Sequence, residues 1–376
     1  MQIIPVSRPS IGEEELNAIR PIFDSGWLGM GSTVYEFEQC VSEFINAKHV
    51  VCTNSGTSAL HLALSSLGIG PGDEVIVPAF TFVATIQAIS ATGAKPIFCD
   101  IRRNDLNIDP DDIVHRITDR TKAILPVHYR GIPCDLDQIH GIAREHNLMV
   151  IEDAAHAFGS SYNGKKIGSL SDMTCFSFDP IKAITCGEGG AVSFQNTDLL
   201  EKVQQKRILG IDKDTWSRYK NERSWFYDVV SQGYRYHMSN INAAIGCVQI
   251  KKINRFNEKK ISVAAKYDAA FRSIKGITLL KNNDYKDVSL FAYVILVDKN
   301  RDRLMEYLLS NGVGCGVHYI PSHLFSYYHR DGLQLPVTDE IYNKILTLPL
   351  FADITDDEVN TVIETVIEGI SVVNNG

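Results

Sequence analysis

The residues with chemistry to offer in this 376-residue sequence each follow a run of β-forming residues. Val50-Val-Cys-Thr-Asn54 leads into Ser55-Gly-Thr-Ser-Ala-Leu60, where small polar side chains open an apolar helical segment. Such a turn presents hydroxyls and backbone N–H groups at the positive end of a helix dipole; it is a ready phosphate site, and equally an ordinary helix cap. Leu148-Met-Val-Ile-Glu152 leads to Asp153-Ala-Ala-His156, an acid and an imidazole that can face a ligand together or serve as a cap and a surface histidine. Cys175-Phe-Ser-Phe-Asp-Pro-Ile-Lys182 puts Ser177 at another strand end and a lysine five residues on, before the turn Gly187-Glu-Gly-Gly190. Most lysines are solvated. The apolar neighbours Ile181, Ala183, Ile184 and Cys186 favour a lowered lysine pKa.

Pyridoxal phosphate gives all of these groups a task. It needs an amine for its Schiff base, a carboxylate for its pyridine nitrogen, hydroxyls and N–H groups for its phosphate, and a flat partner for its ring. Lys182, Asp153, the trio Thr57, Ser58 and Ser177, and an aromatic of Pro78-Ala-Phe-Thr-Phe82 can supply them. Dinucleotide binding would compete for such a sheet, but no GxGxxG follows the first strand.

The elements that must position these residues alternate. Val50–Thr53, Glu74–Val77, Lys95–Cys99, Ala123–Val127, Leu148–Glu152, Thr174–Phe178 and Ala191–Phe194 read as strands, and Ser58–Leu67, Thr81–Thr92 and Leu136–His146 carry apolar residues at helical spacing. This predicts an α/β fold with a mostly parallel central sheet covered by helices, whose ligands bind beyond the carboxyl ends of the strands. From about Ser239 the pattern changes. Ile241–Ile253 and Lys260–Ile274 read as two long helices, followed by a strand over Leu290–Val297 and a helix over Arg301–Asn311. The expectation is a large domain over 1–240 and a smaller α+β domain over 241–376.

Composition limits the partners. A net charge of −8 is not the basic footprint of a nucleic-acid binder. No apolar run approaches the ~20 residues of a membrane span. The eight cysteines are scattered, with no CxxC and no metal-site spacing, and read as small buried hydrophobes of a reducing cytoplasm. No metal is expected.

The sequence also resembles the sugar aminotransferases of the DegT/DnrJ/EryC1/StrS type. The resemblance rests on Ser25-Gly-Trp-Leu-Gly-Met-Gly31, Ser55-Gly-Thr-Ser-Ala-Leu60, Pro71-Gly-Asp-Glu-Val-Ile-Val-Pro78, Thr81-Phe82, Asn107-Ile-Asp-Pro110, Pro126-Val-His-Tyr129, Glu152-Asp-Ala-Ala-His156, Phe176-Ser-Phe178 with Lys182, Gly187-Glu-Gly-Gly190 and Asn242-Ala-Ala-Ile-Gly246, in order through nearly the whole chain. It implies the fold type I architecture of pyridoxal phosphate enzymes, with Lys182 as the Schiff-base lysine and proton shuttle. It further implies Asp153 at the pyridine nitrogen, His156 near the ring hydroxyl, Thr57, Ser58 and Ser177 on the phosphate, and Phe82 stacked on the ring. A dehydratase branch has histidine at the lysine position, and Lys182 argues against it.

One departure stands out. Where the family usually reads Gly-Tyr-Asn-Tyr-Arg, this chain reads Gly233-Tyr-Arg-Tyr-His237. The usual asparagine reaches the cofactor phosphate of the other subunit, so Arg235 could take that phosphate, clamp a substrate carboxylate, or form a surface ion pair. In Gly316-Val-His-Tyr-Ile-Pro-Ser-His323, the residues His318, Tyr319 and His323 are candidates for sugar contacts, and Trp225 and Tyr227 for a loop over the site. The resemblance implies a homodimer with shared sites that moves an amino group from glutamate to a nucleotide-linked keto sugar, for surface polysaccharide or lipopolysaccharide. The alternatives are a free keto sugar acid held by Arg235, or a pyridoxal phosphate-binding regulatory protein without turnover.

Overall fold

A computed structural model describes residues 3–212, 227–280 and 285–375. Seven strands form the central sheet: β1 (His49–Thr53), β2 (Glu74–Pro78), β3 (Lys95–Cys99), β4 (Thr121–Ile124), β5 (Met149–Asp153), β8 (Met173–Ser177) and β9 (Gly190–Phe194). A two-residue hairpin, β6 (Ser161–Tyr162) and β7 (Lys165–Lys166), lies between β5 and β8. The spatial order is β1-β9-β8-β5-β4-β2-β3. Only β9 runs against its neighbours, so the mostly parallel sheet read from the sequence is present. Strands β2, β8 and β9 are buried along their whole length, as expected of strands covered on both faces.

Helices Gly56–Ser66, Val83–Ala91 and Leu136–His146 follow β1, β2 and β4. The first is capped by Ser55, whose side chain accepts from the Ser58 N–H, while the Ser58 hydroxyl accepts from the Ser55 N–H at 3.0 Å. This reciprocal pair satisfies two N–H groups that the helix start would otherwise leave open. Two further helices, Glu13–Ser25 and Ser32–Ile45, precede β1.

The expected pair of helices after Ser239 is one 32-residue helix, Asn240–Phe271. The stretch Asn254–Lys259 is polar, but it holds neither Gly nor Pro, and Phe256 stays buried within it. Nothing there stops a helix; the polarity marks the passage from one core to the next. Ala243, Ile250 and Ile253 pack in the core beneath the sheet, whereas Val263, Ala264, Tyr267 and Phe271 pack in a second core. That core covers the antiparallel sheet of β10 (Ile277–Leu279), β11 (Tyr293–Val297) and β12 (Ile345–Leu348). The chain's beginning joins it: Ile4 pairs with Val313, and the Leu350 N–H donates to the Val6 carbonyl at 2.9 Å. No described helix is long and apolar enough to cross a membrane.

One buried ion pair ties the end of β1 to its surroundings. Glu38 accepts from the Arg207 guanidinium and, at 2.8 Å, from the Cys52 N–H, and Arg207 also donates to the Cys52 carbonyl at 3.1 Å. Burial pushes the Glu38 carboxyl up, against the pull of Arg207. Arg207→Met should leave that carboxylate uncompensated and cost about 3–5 kcal/mol, whereas the double substitution with Glu38→Met should recover most of the loss. Urea unfolding of the four proteins in this cycle checks it; equal losses in the single and double variants would refute it.

Candidate active site

The parallel strands β1, β2, β4, β5 and β8 end at the same edge of the sheet, and a cavity of about 290 Å³ opens there. Asp153, the last residue of β5, is 4% exposed. Thr85 donates to one of its carboxylate oxygens at 2.7 Å and the Ala155 N–H to the other at 3.0 Å. Burial pushes the Asp153 carboxyl up, and these two donors and the Lys182 charge oppose that. Thr85 is itself hydrogen-bonded to the Thr81 hydroxyl, 2.9 Å away, in the segment just before the helix.

Lys182 and His156 line the same cavity. The Lys182 ammonium lies 4.5 Å from the centroid of the Phe291 ring, and burial lowers its pKa. Phe291 stacks on His156 at 3.9 Å with an interplanar angle of 6°. The His156 Nε2 is 2.9 Å from the Tyr319 hydroxyl, and its Nδ1 is buried with no hydrogen-bond partner. Burial first, then the charges of Lys182 and His318, hold His156 well below the ordinary histidine pKa. Phe82 and Tyr319 face each other across the opening, ring centroids 5.5 Å apart.

The polar end of the cavity is built from Ser55, Gly56, Thr57 and Ser177. Two glycines allow its tight packing. A Cβ on Gly56 would stand 2.7 Å from the Ser177 Cβ, and one on Gly190 would stand 2.3 Å from the Ser55 carbonyl oxygen. Backbone N–H groups at the start of Gly56–Ser66 therefore reach the cavity wall without intervening side chains. An amine, a buried carboxylate, an unpartnered ring nitrogen and an N–H and hydroxyl cradle converge on one cavity, and these fit pyridoxal phosphate.

Of the residues singled out from the sequence, Thr57, Phe82, Asp153, His156, Ser177, Lys182, His318 and Tyr319 line this cavity. Ser58 does not: its hydroxyl is engaged by Ser55 and by Asn54, at 2.6 Å. His323 pairs with Asp339 at 3.1 Å, away from the cavity wall. Arg235 is exposed beside Asn54 and does not line the cavity of its own chain. Tyr227 is exposed, and Trp225 lies outside the described residues. Sequence reasoning missed Thr85 and Phe291. Thr85 lies in the first turn of the helix that follows the Thr81-Phe82 motif, and that nearness is its one local signal; Phe291 carries no local signal.

Comparison with known proteins accounts for this constellation. The family model described as the DegT/DnrJ/EryC1/StrS aminotransferase family matches residues 9–367. The chain belongs to that family. It is thus a pyridoxal phosphate-dependent sugar aminotransferase. The spore coat polysaccharide biosynthesis protein SpsC of Bacillus subtilis is 39% identical over 373 residues, 96% of each chain. Among solved structures, the putative sugar aminotransferase Spr1654 of Streptococcus pneumoniae in its PMP form is 30% identical with a TM-score of 0.92, covering 98% of this chain and 100% of that one; it is also solved in a PLP form. PseC of Helicobacter pylori, an aminotransferase of pseudoaminic acid biosynthesis, is 29% identical with a TM-score of 0.92, covering 99% and 100%.

The depressed pKa of His156 makes this aminotransferase sensitive to acid in a defined direction. Above about pH 6.5 the imidazole is neutral in both folded and unfolded chains; below it the unfolded chain takes up a proton that the folded site refuses. Stability from this group is therefore full above about pH 6.5 and declines as the pH falls. His156→Gln cannot titrate, so its stability relative to wild type should rise between about pH 7.5 and 5.5. Parallel urea-stability profiles for the two proteins would refute the assignment.

Proposed function

We propose that the enzyme transfers the amino group of L-glutamate to a nucleotide-linked keto sugar, giving an amino sugar for a surface polysaccharide or lipopolysaccharide. The observation that carries this reading is the meeting of the Lys182 amine and the buried Asp153 carboxylate at one cavity. The sugar class draws support from SpsC and PseC, whose names refer to spore coat polysaccharide and pseudoaminic acid.

Pyridoxal phosphate, when bound, supplies the electron sink that lets a Cα proton leave the amino donor. Lys182 supplies the amine that holds the cofactor, and the base that moves this proton. Its burial lowers the pKa toward the range where a neutral amine is available to accept. Asp153 would pair with the pyridine nitrogen, its two oxygens held by Thr85 and the Ala155 N–H. A cation there stabilises the ionised form that burial alone disfavours. Thr57, Ser177 and the N–H groups at the start of Gly56–Ser66 hold the phosphate, and Ser58 orders that turn through the cap. Phe82 would stack on the ring and His156 would lie near its hydroxyl, with Tyr319, hydrogen-bonded to His156 and facing Phe82, available to the sugar.

Arg235 is assigned to the second subunit of a homodimer, where it reaches the cofactor phosphate. Its exposure, and its absence from the wall of its own cavity, support a role outside that cavity. In this reading residues 1–240 hold the cofactor and 241–376 close over the sugar.

Protein loaded with pyridoxal phosphate should absorb in the visible, lose that band on adding L-glutamate, and regain it with the correct keto sugar. Lys182→Ala should abolish the band and turnover together, and a wild-type band unresponsive to every amino donor would sink the proposal. Thr85→Val removes a donor to an ionised carboxylate, an interaction of about 1.5–3 kcal/mol, and should weaken cofactor binding by roughly 10–100-fold. An unchanged affinity in a fluorescence titration would show that Thr85 plays no part.

A further inference from the structure

Lys182 borders a second, smaller cavity of about 30 Å³, whose wall includes Arg8, Ser10, Gln249 and Lys260. A third, of about 450 Å³, shares Ser7, Ile181 and Phe291 with it and His318 with the cofactor cavity. Ile181 and Lys182 thus stand between the cofactor cavity and spaces that border the N-terminal segment and the antiparallel sheet.

Lys260 is the unusual member. It lies in the helix Asn240–Phe271, 6% exposed, and Phe256, Phe291 and Phe351 share the cavity wall with it. Among the described residues its ammonium has no hydrogen bond or ion pair, and burial alone pushes its pKa down to about 8. The nearby polar groups are already engaged. The Gln249 amide donates to the Ser10 carbonyl and to Glu15, each at 2.8 Å, and Glu15 is held by Lys252 at 2.6 Å. Arg8, exposed and 4.9 Å from the Phe351 ring centroid, adds a second cation. The wall of the small cavity therefore carries Arg8, Lys182 and Lys260 and no carboxylate. A buried ammonium without a counter-ion is kept at the expense of stability, which an anion in the cavity would restore. The space suits one small planar group, about two waters in size, and is too small for a diphosphate.

We infer that a carboxylate of the amino donor seats in this cavity against Lys260, with Arg8 as the outer cation, and so presents the donor's amino group to Lys182. This rests on the amino-transfer reading above. It gives the fold's longest helix a direct part in selecting the donor.

The test uses protein loaded with pyridoxal phosphate and compares wild type with Lys260→Met, Lys260→Arg and Arg8→Gln. Two readouts are taken: calorimetric affinity for glutarate, an unreactive dicarboxylate, and the rate at which L-glutamate or L-alanine bleaches the visible band. Lys260→Met should fold, melt at a higher temperature, and lose roughly 10–100-fold in both glutarate affinity and glutamate rate. Lys260→Arg should recover most of the loss, and Arg8→Gln, at an exposed site, should show a smaller one. A defect confined to glutamate assigns the cavity to the side-chain carboxylate, and one shared by alanine assigns it to the α-carboxylate; either upholds the inference. Wild-type glutarate affinity and donor rates in Lys260→Met would overturn it, whatever Arg8→Gln shows, while leaving amino transfer intact. A wild-type protein that responds to no donor would instead be a failure of the function proposed above.

Discussion

A carboxylate kept in the interior without an arginine or lysine bonded to it governs the arrangement of this protein. Asp153 receives only the Thr85 hydroxyl and the Ala155 N–H, and its burial works against its charge. Little of the carboxylate is exposed, so a cation that enters the cavity is what can offset that cost. The rest of the site follows from this position. Thr81 lies between β2 and the next helix and Thr85 in that helix's first turn, Lys182 follows β8, and His156 lies in the turn after β5, because each parallel strand delivers its next residues to one edge.

Close approach of backbone segments is the second constraint. Gly190 begins the one antiparallel strand and sits opposite both Thr53 and Ser177. Any side chain there would strike the Ser55 carbonyl, and one on Gly56 would strike Ser177. The turn that caps the helix after β1 can lie against the end of β8 only because both positions lack a Cβ. Beneath it, Arg207 and Glu38 hold the end of β1 from two different helices. The polar end of the cavity is thus fixed by packing, with few side chains of its own committed to it.

Legibility in the sequence followed the range of the interactions. All seven central strands could be read within a few residues, since runs such as Glu74–Val77 and Lys95–Cys99 are largely apolar and bounded by Gly, Pro and Asp. The polar stretch Asn254–Lys259 misled, because a helix that passes between two cores loses its apolar stripe without losing its backbone bonds. Ser58 was placed on the phosphate from its neighbours in sequence, whereas its hydroxyl bonds within its own turn. Phe291 and Lys260 were not seen as site residues, because an aromatic in an apolar run and a lysine on a helix look like core and surface.

The sequence by itself determined the alternation of strands and helices, the residues that follow each strand, and the family to which they conform. Those features are local, set by periodicity, turn residues and short spacings that survive without knowledge of distant contacts. Only the tertiary structure decided which hydroxyls face the cavity, that Thr85 holds Asp153, that Phe291 stacks on His156, and that Lys260 is buried without a counter-ion. Each of these depends on segments tens to more than a hundred residues apart being packed together, and burial, which pushes the Asp153 pKa up and those of His156 and Lys182 down, exists only once that packing has excluded water.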